Sequence, residues 1–530
     1  MSKSEDARAY EARAVVGARV KIDNHFATIR FYGEVPPTKG VWFGVEWDDQ
    51  ERGKHSGEHE GRRYFQCSKP NSASFVRPSA KIKFGGTFLD ALRCKYVQQN
   101  DIHLEDSTQD IYKIQFGANP KIEVEAVGFE KIHKHQSNLG QIVEVGLDDY
   151  EISSAGVPGE IRQVAPKIRD LNLSQNLLPN WEVVADICEQ LGELSILRVN
   201  RNRFEPLTAP FSRTNAFMAL EILSSNKTRI TWEQVECLAP CMKALRQLHI
   251  GFNGISMFTS PGHAVQGFAN LEVLDIESNR VEDWDAVQVF SELPRLREIN
   301  LSFNALNRLK YLGGFEALES LNLTSCNIEQ WGSIDQLNLF PRLRELRMRG
   351  NPVVSGSSEA NARAMLIGRL GKLTNLNGTQ ITASERADLE RFYLSSIAKE
   401  ALENPELVHP RYQELCQLHG APVAAKNPLN DSNKLKDRLL AITITKREHK
   451  DAEPIKTVKK KLLGTMTIRS LKSLLQKLLQ VPANQQMLYR RYLNGAEGQA
   501  QILDYPMDDD LREINYYGLE SGEEILVLSA

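Results

Sequence analysis

The sequence predicts a multidomain α+β protein in three parts: a small β-barrel, a curved α/β solenoid and a C-terminal β-grasp domain. Three observations carry this expectation. Glycines at 33, 40, 44, 53, 57 and 61 punctuate short alternating runs near the start. A nine-residue leucine frame recurs through the middle at intervals of about 22 to 27 residues. Beyond residue 436 come two alternating strands, an amphipathic helix and further strands, in that order.

A chain of 530 residues has room for about two to four cores. The net charge of −3 gives no general attraction to nucleic acid or to a membrane surface, so any selectivity rests on local patches. The start, MSKSEDARAY, is polar, and no run of about 18 apolar residues follows, so neither a signal peptide nor a membrane span is expected. Seven scattered cysteines read as reduced thiols of a cytosolic protein. Cys237 and Cys241 have no second pair at metal spacing and read as buried thiols rather than ligands.

The repeat frame is L-x-x-L-x-L-x-x-N. It stands at 168–176 (IRDLNLSQN), 194–202, 245–253, 271–279, 296–304, 318–326 and 343–351, with a degenerate copy read as ending at Asn226. Its fourth and sixth positions put two apolar side chains on one face of a short strand, and the closing Asn, or Cys326, turns inward to bond backbone groups that would otherwise be buried unpaired. Between strands lie helical stretches such as WEVVADICEQL, where Trp181, Val184, Cys188 and Leu191 share a face. The array is expected to curve, with a polar concave face built from the x positions. Arg198, Arg201, Phe252, Phe303, Arg344, Arg347 and Arg349 are the candidates there, since exposed Arg and Phe are enriched at interfaces. After Asn351 a partial turn runs into a helix, read as a C-terminal cap.

Residues 53 to 67, GKHSGEHEGRRYFQC, raise two catalytic readings and fail both. A phosphate loop needs G-x-x-x-x-G-K-[ST] between a strand and a helix, and neither condition is met. His55, Glu58 and His59 match H-x-x-E-H, yet such a zinc site needs a stable helix, and Gly57 stands inside it with Gly53 and Gly61 on either side. What remains is a glycine-lined loop carrying Lys54 beside aromatics Trp42, Phe43, Phe65 and Phe75, all read as exposed, and basic Arg62, Arg63 and Arg77. Such a groove suits a peptide end with an aromatic side chain and carboxylates.

At these residues the stretch resembles the CAP-Gly domain, a microtubule-associated module whose G-K-N-D-G loop holds the acidic Glu-Glu-Tyr tail of α-tubulin. Gly40, Trp42, Gly44, Val45, Gly53, Lys54, Gly57, Gly61, Tyr64, Phe65, Cys67, Phe75, Val76 and Arg77 match, while His55 replaces Asn and Ser56 replaces Asp. The resemblance makes Trp42, Phe43, Gly53, Lys54, His55, Ser56, Gly57, Phe65, Phe75 and Arg77 the tail-binding residues. His55 keeps one donor; Ser56 gives up a charge.

The expected division is 10–85 for this domain, 86–165 as linker with a repeat cap, 166–400 as solenoid with C-terminal cap, 401–436 as linker and 437–530 as the last domain. In 86–165, QDIYKIQF, KIEVEAVGFEKI and QIVEVGL read as early repeat strands or as a cap. In the last domain LLAITITKR and IKTVKKKLL are strands, TIRSLKSLLQKLL is a helix with Ile468, Leu471, Leu474 or Leu475, and Leu478 on one face, and MLYRRYL and EEILVLSA are strands. GLESGEEILVL resembles the end of the ubiquitin fold, here without a terminal Gly-Gly, so a docking module is expected. Lys456, Lys459, Lys460 and Lys461 read as a solvated strand face.

CAP-Gly, leucine-rich repeats and ubiquitin-like domain in this order resemble the tubulin-folding cofactor E family over nearly the whole length. The resemblance implies a non-enzymatic chaperone without cofactor or metal. It would bind α-tubulin, act with cofactors B, C and D to assemble the αβ heterodimer, and dissociate that heterodimer when in excess. It would be cytoplasmic and cytoskeleton-associated, with neither nucleic acid nor membrane as partner. The alternatives are a microtubule adaptor and a ubiquitin-linked shuttle that reaches the proteasome through its last domain.

Overall fold

The computed structural model describes residues 16–98, 113–115, 123–125, 138–258, 265–403, 409–422, 439–494 and 501–529. It divides into two compact units, one of Met1–Gly356 with Lys372–Gln380 and one of Ser357–Gly371 with Ile381–Ala530.

The first unit begins with β1 (Arg19–Ile22), β2 (His25–Glu34), β3 (Val41–Trp47), β4 (Ala73–Val76) and β5 (Ile82–Lys83). They form one antiparallel sheet in the order β4-β3-β2-β1-β5, with β4 and β5 at its two ends. A register shift between Ile29 and Phe31 bends β2. Val20, Ile22, Ala27, Ile29, Phe43, Val45, Trp47 and Ile82 make the core. Phe43, expected in the exposed groove, is fully buried. Successive strand residues point to opposite faces, so a half-exposed Trp42 sends Phe43 inward against Tyr32 and Phe84.

Of residues 86–165 the structure describes 86–98, 113–115, 123–125 and 138–165, so most of QDIYKIQF and KIEVEAVGFEKI lies outside the described residues. Gly86–Thr87 pairs in parallel with Ile152–Ser154. QIVEVGL supplies β6 (Glu144–Gly146), the first strand of the solenoid sheet among the described residues, whereas Lys113–Gln115 and Glu123–Glu125 pair antiparallel with each other.

The solenoid sheet continues through β7 (Asp170–Asn172), β8 (Ile196–Arg198), β9 (Ile222–Ser224), β10 (Gln247–His249), β11 (Val273–Asp275), β12 (Glu298–Asn300), β13 (Ser320–Asn322), β14 (Glu345–Arg347), β15 (Asn375–Leu376) and β16 (Thr379–Gln380). Neighbours pair in chain order, in parallel until the final antiparallel turn. The central leucine or isoleucine of each strand from β7 to β14 is at most 1% exposed, a burial that contributes about 1.5–3 kcal/mol apiece. Helix α1 (Trp181–Cys188) buries Trp181, Val184 and Cys188 as its periodicity predicts.

The frame asparagines do the work their position requires. Asn279 donates to the Ile250 and Ile276 carbonyls at 3.1 and 3.0 Å and accepts from the Asn253 and Ile255 N–H groups at 3.0 and 3.1 Å. Cys326 donates to the Leu301 carbonyl at 3.4 Å in the same place. The degenerate copy is displaced from the expected register. Asn226 is not its closing residue; Thr228 is, donating to the Ser225 carbonyl at 2.9 Å. The Thr hydroxyl makes the inward bond, and the copy hides because LEILSSNKT has Ser225 for the third frame leucine and Thr228 for the Asn.

In the second unit α2 (Glu359–Arg369), α3 (Ala383–Glu403) and α4 (Tyr412–His419) pack around Tyr393, Leu394, Ile397 and Leu415. The helix read as the solenoid cap therefore falls in this unit, and α4 stands in what was expected to be linker. Pro and Asn at 401–436 mimic a linker, but Arg411 anchors the segment. Its guanidinium donates to the Gly368 carbonyl at 2.8 Å and to Glu390 at 3.2 Å.

Residues 439–529 hold β17 (Leu439–Arg447), β18 (Lys456–Leu463), helix α5 (Ile468–Leu479), β19 (Gln486–Asn494), β20 (Gln501–Pro506) and β21 (Glu524–Ser529). The order is β18-β17-β21-β19-β20, with β17 and β21 parallel at the centre, which is the ubiquitin-like β-grasp. The strand at 501–506 is additional to those expected. Helix α5 buries Ile468, Leu471, Leu475 and Leu479, so Leu479 takes the last inward place and Leu478 is only partly covered. The lysines at 456, 459, 460 and 461 lie exposed on the edge strand β18, where their charge discourages pairing with another chain.

Candidate peptide-binding groove

The groove grows from β3, β4 and the loop between them. Gly53 lies where an added Cβ would sit 2.0 Å from the Asn71 carbonyl oxygen, and Gly57, at φ +97°, where it would sit 2.1 Å from that of Phe65. Only glycine lets the 53–57 loop lie this close to its neighbours. The loop is fastened by the Lys54 and His55 N–H groups, which donate to the Ala73 carbonyl at 2.6 and 3.3 Å.

Phe75 is the hub of an aromatic cluster. His55 stacks on it at 4.9 Å, and Phe31, Tyr64 and Phe65 meet it edge-on at 6.2, 5.5 and 5.7 Å. Phe65 is buried as the floor, beneath half-exposed Phe75 and Tyr64. Phe31 joins unannounced: simple alternation would set it on the core face with Ala27 and Ile29, and the register shift between Ile29 and Phe31 turns it to the groove while Tyr32 packs on the core. Trp42 stands at the other side, its indole N–H donating to Thr38 at 2.8 Å, with the Arg77 guanidinium 4.0 Å from its ring and anchored on the Lys39 carbonyl at 2.6 Å. The site therefore brings together all ten expected residues except Phe43, which lies in the core.

The two departures from the loop pattern have distinct effects. His55 Nδ1 accepts from the Gly57 N–H at 3.0 Å, so the neutral ring carries its proton on Nε2 and has that N–H to offer. Burial, His59 and Lys54 hold the imidazole below its usual value against the pull of Glu58. Ser56 accepts from the Asn71 N–H at 2.9 Å, fastening the two loops without a charge. Lys54 is exposed, and its ammonium has no hydrogen bond or ion pair among the described residues. The result is a polarisable aromatic trough rimmed by Lys54, Arg62 and Arg77, which suits a carboxylate next to an aromatic ring. Residues 55–59 are not helical, so the H-x-x-E-H match lacks the geometry it would need.

The solenoid candidates separate by frame position. Arg198 and Arg347 lie in strands, Arg198 paired to Asp170 and Arg347 exposed, with Arg349 exposed two residues on. Arg201, Phe252 and Phe303 were expected to project from the concave strands and instead occupy left-handed corners at φ 57°, 59° and 58°. The frame's eighth position must reverse the chain after the strand, which places these residues on the rim. Phe252 and Phe303 are 42% and 57% exposed there, and Lys227 covers Phe252 at 4.4 Å. Arg344 precedes β14. The middle of the strand face is polar instead, with His249, Asp275 and Asn300 joined at 3.3 and 2.9 Å.

Comparison with known proteins extends this. The CAP-Gly domain family matches residues 16–81 and a leucine-rich-repeat family residues 269–328. The chain is 36% identical to the tubulin-specific chaperone E of Danio rerio, across 97% of this chain and 98% of that protein. It belongs to the tubulin-specific chaperone E family. The Homo sapiens member is 34% identical over the same shares of the two chains, and the tubulin-folding cofactor E of Arabidopsis thaliana is 29% identical over 97% of each. Within the tubulin-specific chaperone E family, then, this chain combines a CAP-Gly groove with serine and histidine in the loop, a solenoid and a ubiquitin-like domain. Among its described residues no helix is long and apolar enough to cross a membrane.

Proposed function

We propose that this chain is a tubulin-folding cofactor that works by binding rather than by catalysis. Its membership of the tubulin-specific chaperone E family along nearly its full length carries the reading. The groove would take the acidic, aromatic-ended tail of α-tubulin, with Lys54 and the His55 Nε2–H meeting carboxylates and Phe75 meeting the terminal ring. The solenoid would hold the body of the same subunit, so that two weak contacts add through effective concentration. Cofactors B, C and D would be its partners in assembling the αβ heterodimer, and an excess of the protein would draw the dimer apart. The ubiquitin-like domain is a docking module in this scheme, and the site of action is the cytoplasm at the microtubule cytoskeleton.

The test is titration of a labelled peptide ending Glu-Glu-Tyr into the full-length protein and into Lys54→Ala, with the amidated peptide as control. Binding that weakens by about 1–3 kcal/mol in the variant, as for a lost charge-assisted contact, supports the groove as a tail receptor. Absence of binding to the wild type would remove the groove from the proposal.

A further inference from the structure

Three arginines recur at one place in the solenoid frame, directly after its closing residue: Arg203 after Asn202, Arg229 after Thr228 and Arg280 after Asn279. In-register parallel strands stack successive turns about 4.8 Å apart. The repeat between the last two has Gly254 at this place, where an added Cβ would lie 3.9 Å from the Arg280 Nε. The side chains thus form a ladder with one open rung.

The CAP-Gly domain faces this ladder, since a Cβ added at Gly17 would collide with the carboxylate of Glu205, two residues past Arg203, and the domain's own Asp48 and Glu46 are already taken. Asp48 is gripped by Arg19 at 2.7 and 2.5 Å, and Glu46 by Arg30 at 2.8 Å and by the Ser68 N–H at 2.7 Å. Arg203 and Arg229 are half-buried, yet neither they, nor Arg280, nor Lys69 of the CAP-Gly domain has a side-chain hydrogen bond or ion pair among the described residues. Burial, set against the attraction of Asp48 and reinforced by Arg229 and Arg19, brings Arg203 down to about 10. Arg229 first, then burial, Arg203 and Arg280 push the Lys69 ammonium down. No carboxylate pairs with these cations among the described residues, although Asp48 and Glu46 lie near enough to attract Arg203 and Arg229.

Lys69 also leads to the groove. The Ser72 hydroxyl donates to its carbonyl at 2.7 Å, and the adjacent Asn71 N–H donates to Ser56 of the groove loop at 2.9 Å. We propose that Lys69, Arg203, Arg229 and Arg280 form a track for the glutamate-rich stretch of an acidic peptide whose C-terminus occupies the groove. Charge complementarity selects this occupant: guanidinium forks in a partly dry cleft hold carboxylates well, and the chain as a whole is acidic, so the attraction is confined to the track. The proposal rests on the reading of the groove as a receptor for an acidic C-terminus.

Two peptides separate the parts in the full-length protein. A glutamate-rich peptide of about twelve residues ending Glu-Glu-Tyr spans groove and ladder at about 3.4 Å per residue, whereas its last four or so residues fill only the groove. The long peptide is expected to bind the wild type about tenfold more tightly than the short one. R203Q/R229Q/R280Q removes that advantage and leaves the short peptide unchanged. K69Q/R280Q alters only exposed side chains, so it tests the track without risk to the fold, and an expected loss of about threefold for the long peptide supports it. Equal affinities of the two peptides for the wild type overturn the track, as does an advantage that survives the triple variant. Lower thermal stability with both affinities unchanged also overturns it, since the arginines then serve domain packing alone. If the short peptide fails to bind, the groove reading falls by itself. Long-peptide binding lost in the triple variant then still supports the track, and no long-peptide binding overturns it.

Discussion

Arg411 and Arg203 are both arginines drawn out of bulk water, one in each unit, and they differ in company. Arg411 donates to the Ile367 and Gly368 carbonyls at 3.3 and 2.8 Å, to Glu390 at 3.2 Å and to Glu414 at 3.0 Å. Glu390, only 2% exposed, is met in turn by Arg386 at 3.2 Å and His419 at 2.8 Å. Around Arg203 the charges that act on it are Asp48 and Glu46, both already engaged, and Arg229 and Arg19. A partly buried guanidinium with every donor engaged holds a fold together. One with none engaged leaves its desolvation uncompensated until an anion arrives.

The comparison breaks most readily at Arg411. Arg411→Met strands the Glu390 carboxylate and several carbonyls and is expected to destabilise the second unit by about 4 kcal/mol in chemical denaturation. An unchanged midpoint would show that the clamp is dispensable.

The neighbour His409 gives the next effect, through pH. Its Nδ1 accepts from the Arg411 N–H at 3.2 Å, and burial, together with Arg369 and Arg411, holds it down at about 4, with the Arg369 carbonyl and Glu414 opposing. Between that value and the unfolded value of about 6.5 the unfolded chain binds a proton that the folded chain does not. Stability therefore falls as pH drops through this window, by at most about 3 kcal/mol, and His409→Gln should flatten that part of the curve.

Asn279→Ala tests the solenoid ladder, where the polar partners are all backbone. It removes bonds to two carbonyls and two N–H groups in a buried turn and should cost about 2 kcal/mol of stability, read from a thermal melt. Arg203→Met is the smallest and sharpens the contrast. Removing a half-buried cation that nothing pairs relieves its desolvation and should raise stability by about 1 kcal/mol, against the large loss at Arg411.

Much of this was legible residue by residue. Leu171, Leu197 and Leu274 announce buried strand centres, and the Asn after each announces an inward turn, because those bonds close within one or two repeats of the chain. Gly53 and Gly57 likewise mark backbone contacts set by their own loop. Helix α1 and helix α5 follow from apolar spacing alone, apart from the exchange of Leu478 for Leu479. Thr228 was not legible, since it does asparagine's task without asparagine's letter.

The sequence by itself determined the order of domains, the repeat period, the glycine-lined loop and the family, all of which rest on short-range patterns. Only the tertiary structure decided that Phe43 is core while Trp42 and Phe75 are groove, and that Arg201, Phe252 and Phe303 stand on the rim. It also decided that Arg411 turns an apparent linker into a helix clamp, and that Arg203, Arg229 and Lys69 converge with no carboxylate bonded to them among the described residues. In each case the deciding neighbour lies on another strand, another repeat or another domain. Burial and charge pairing depend on that distance in space, which local pattern does not encode.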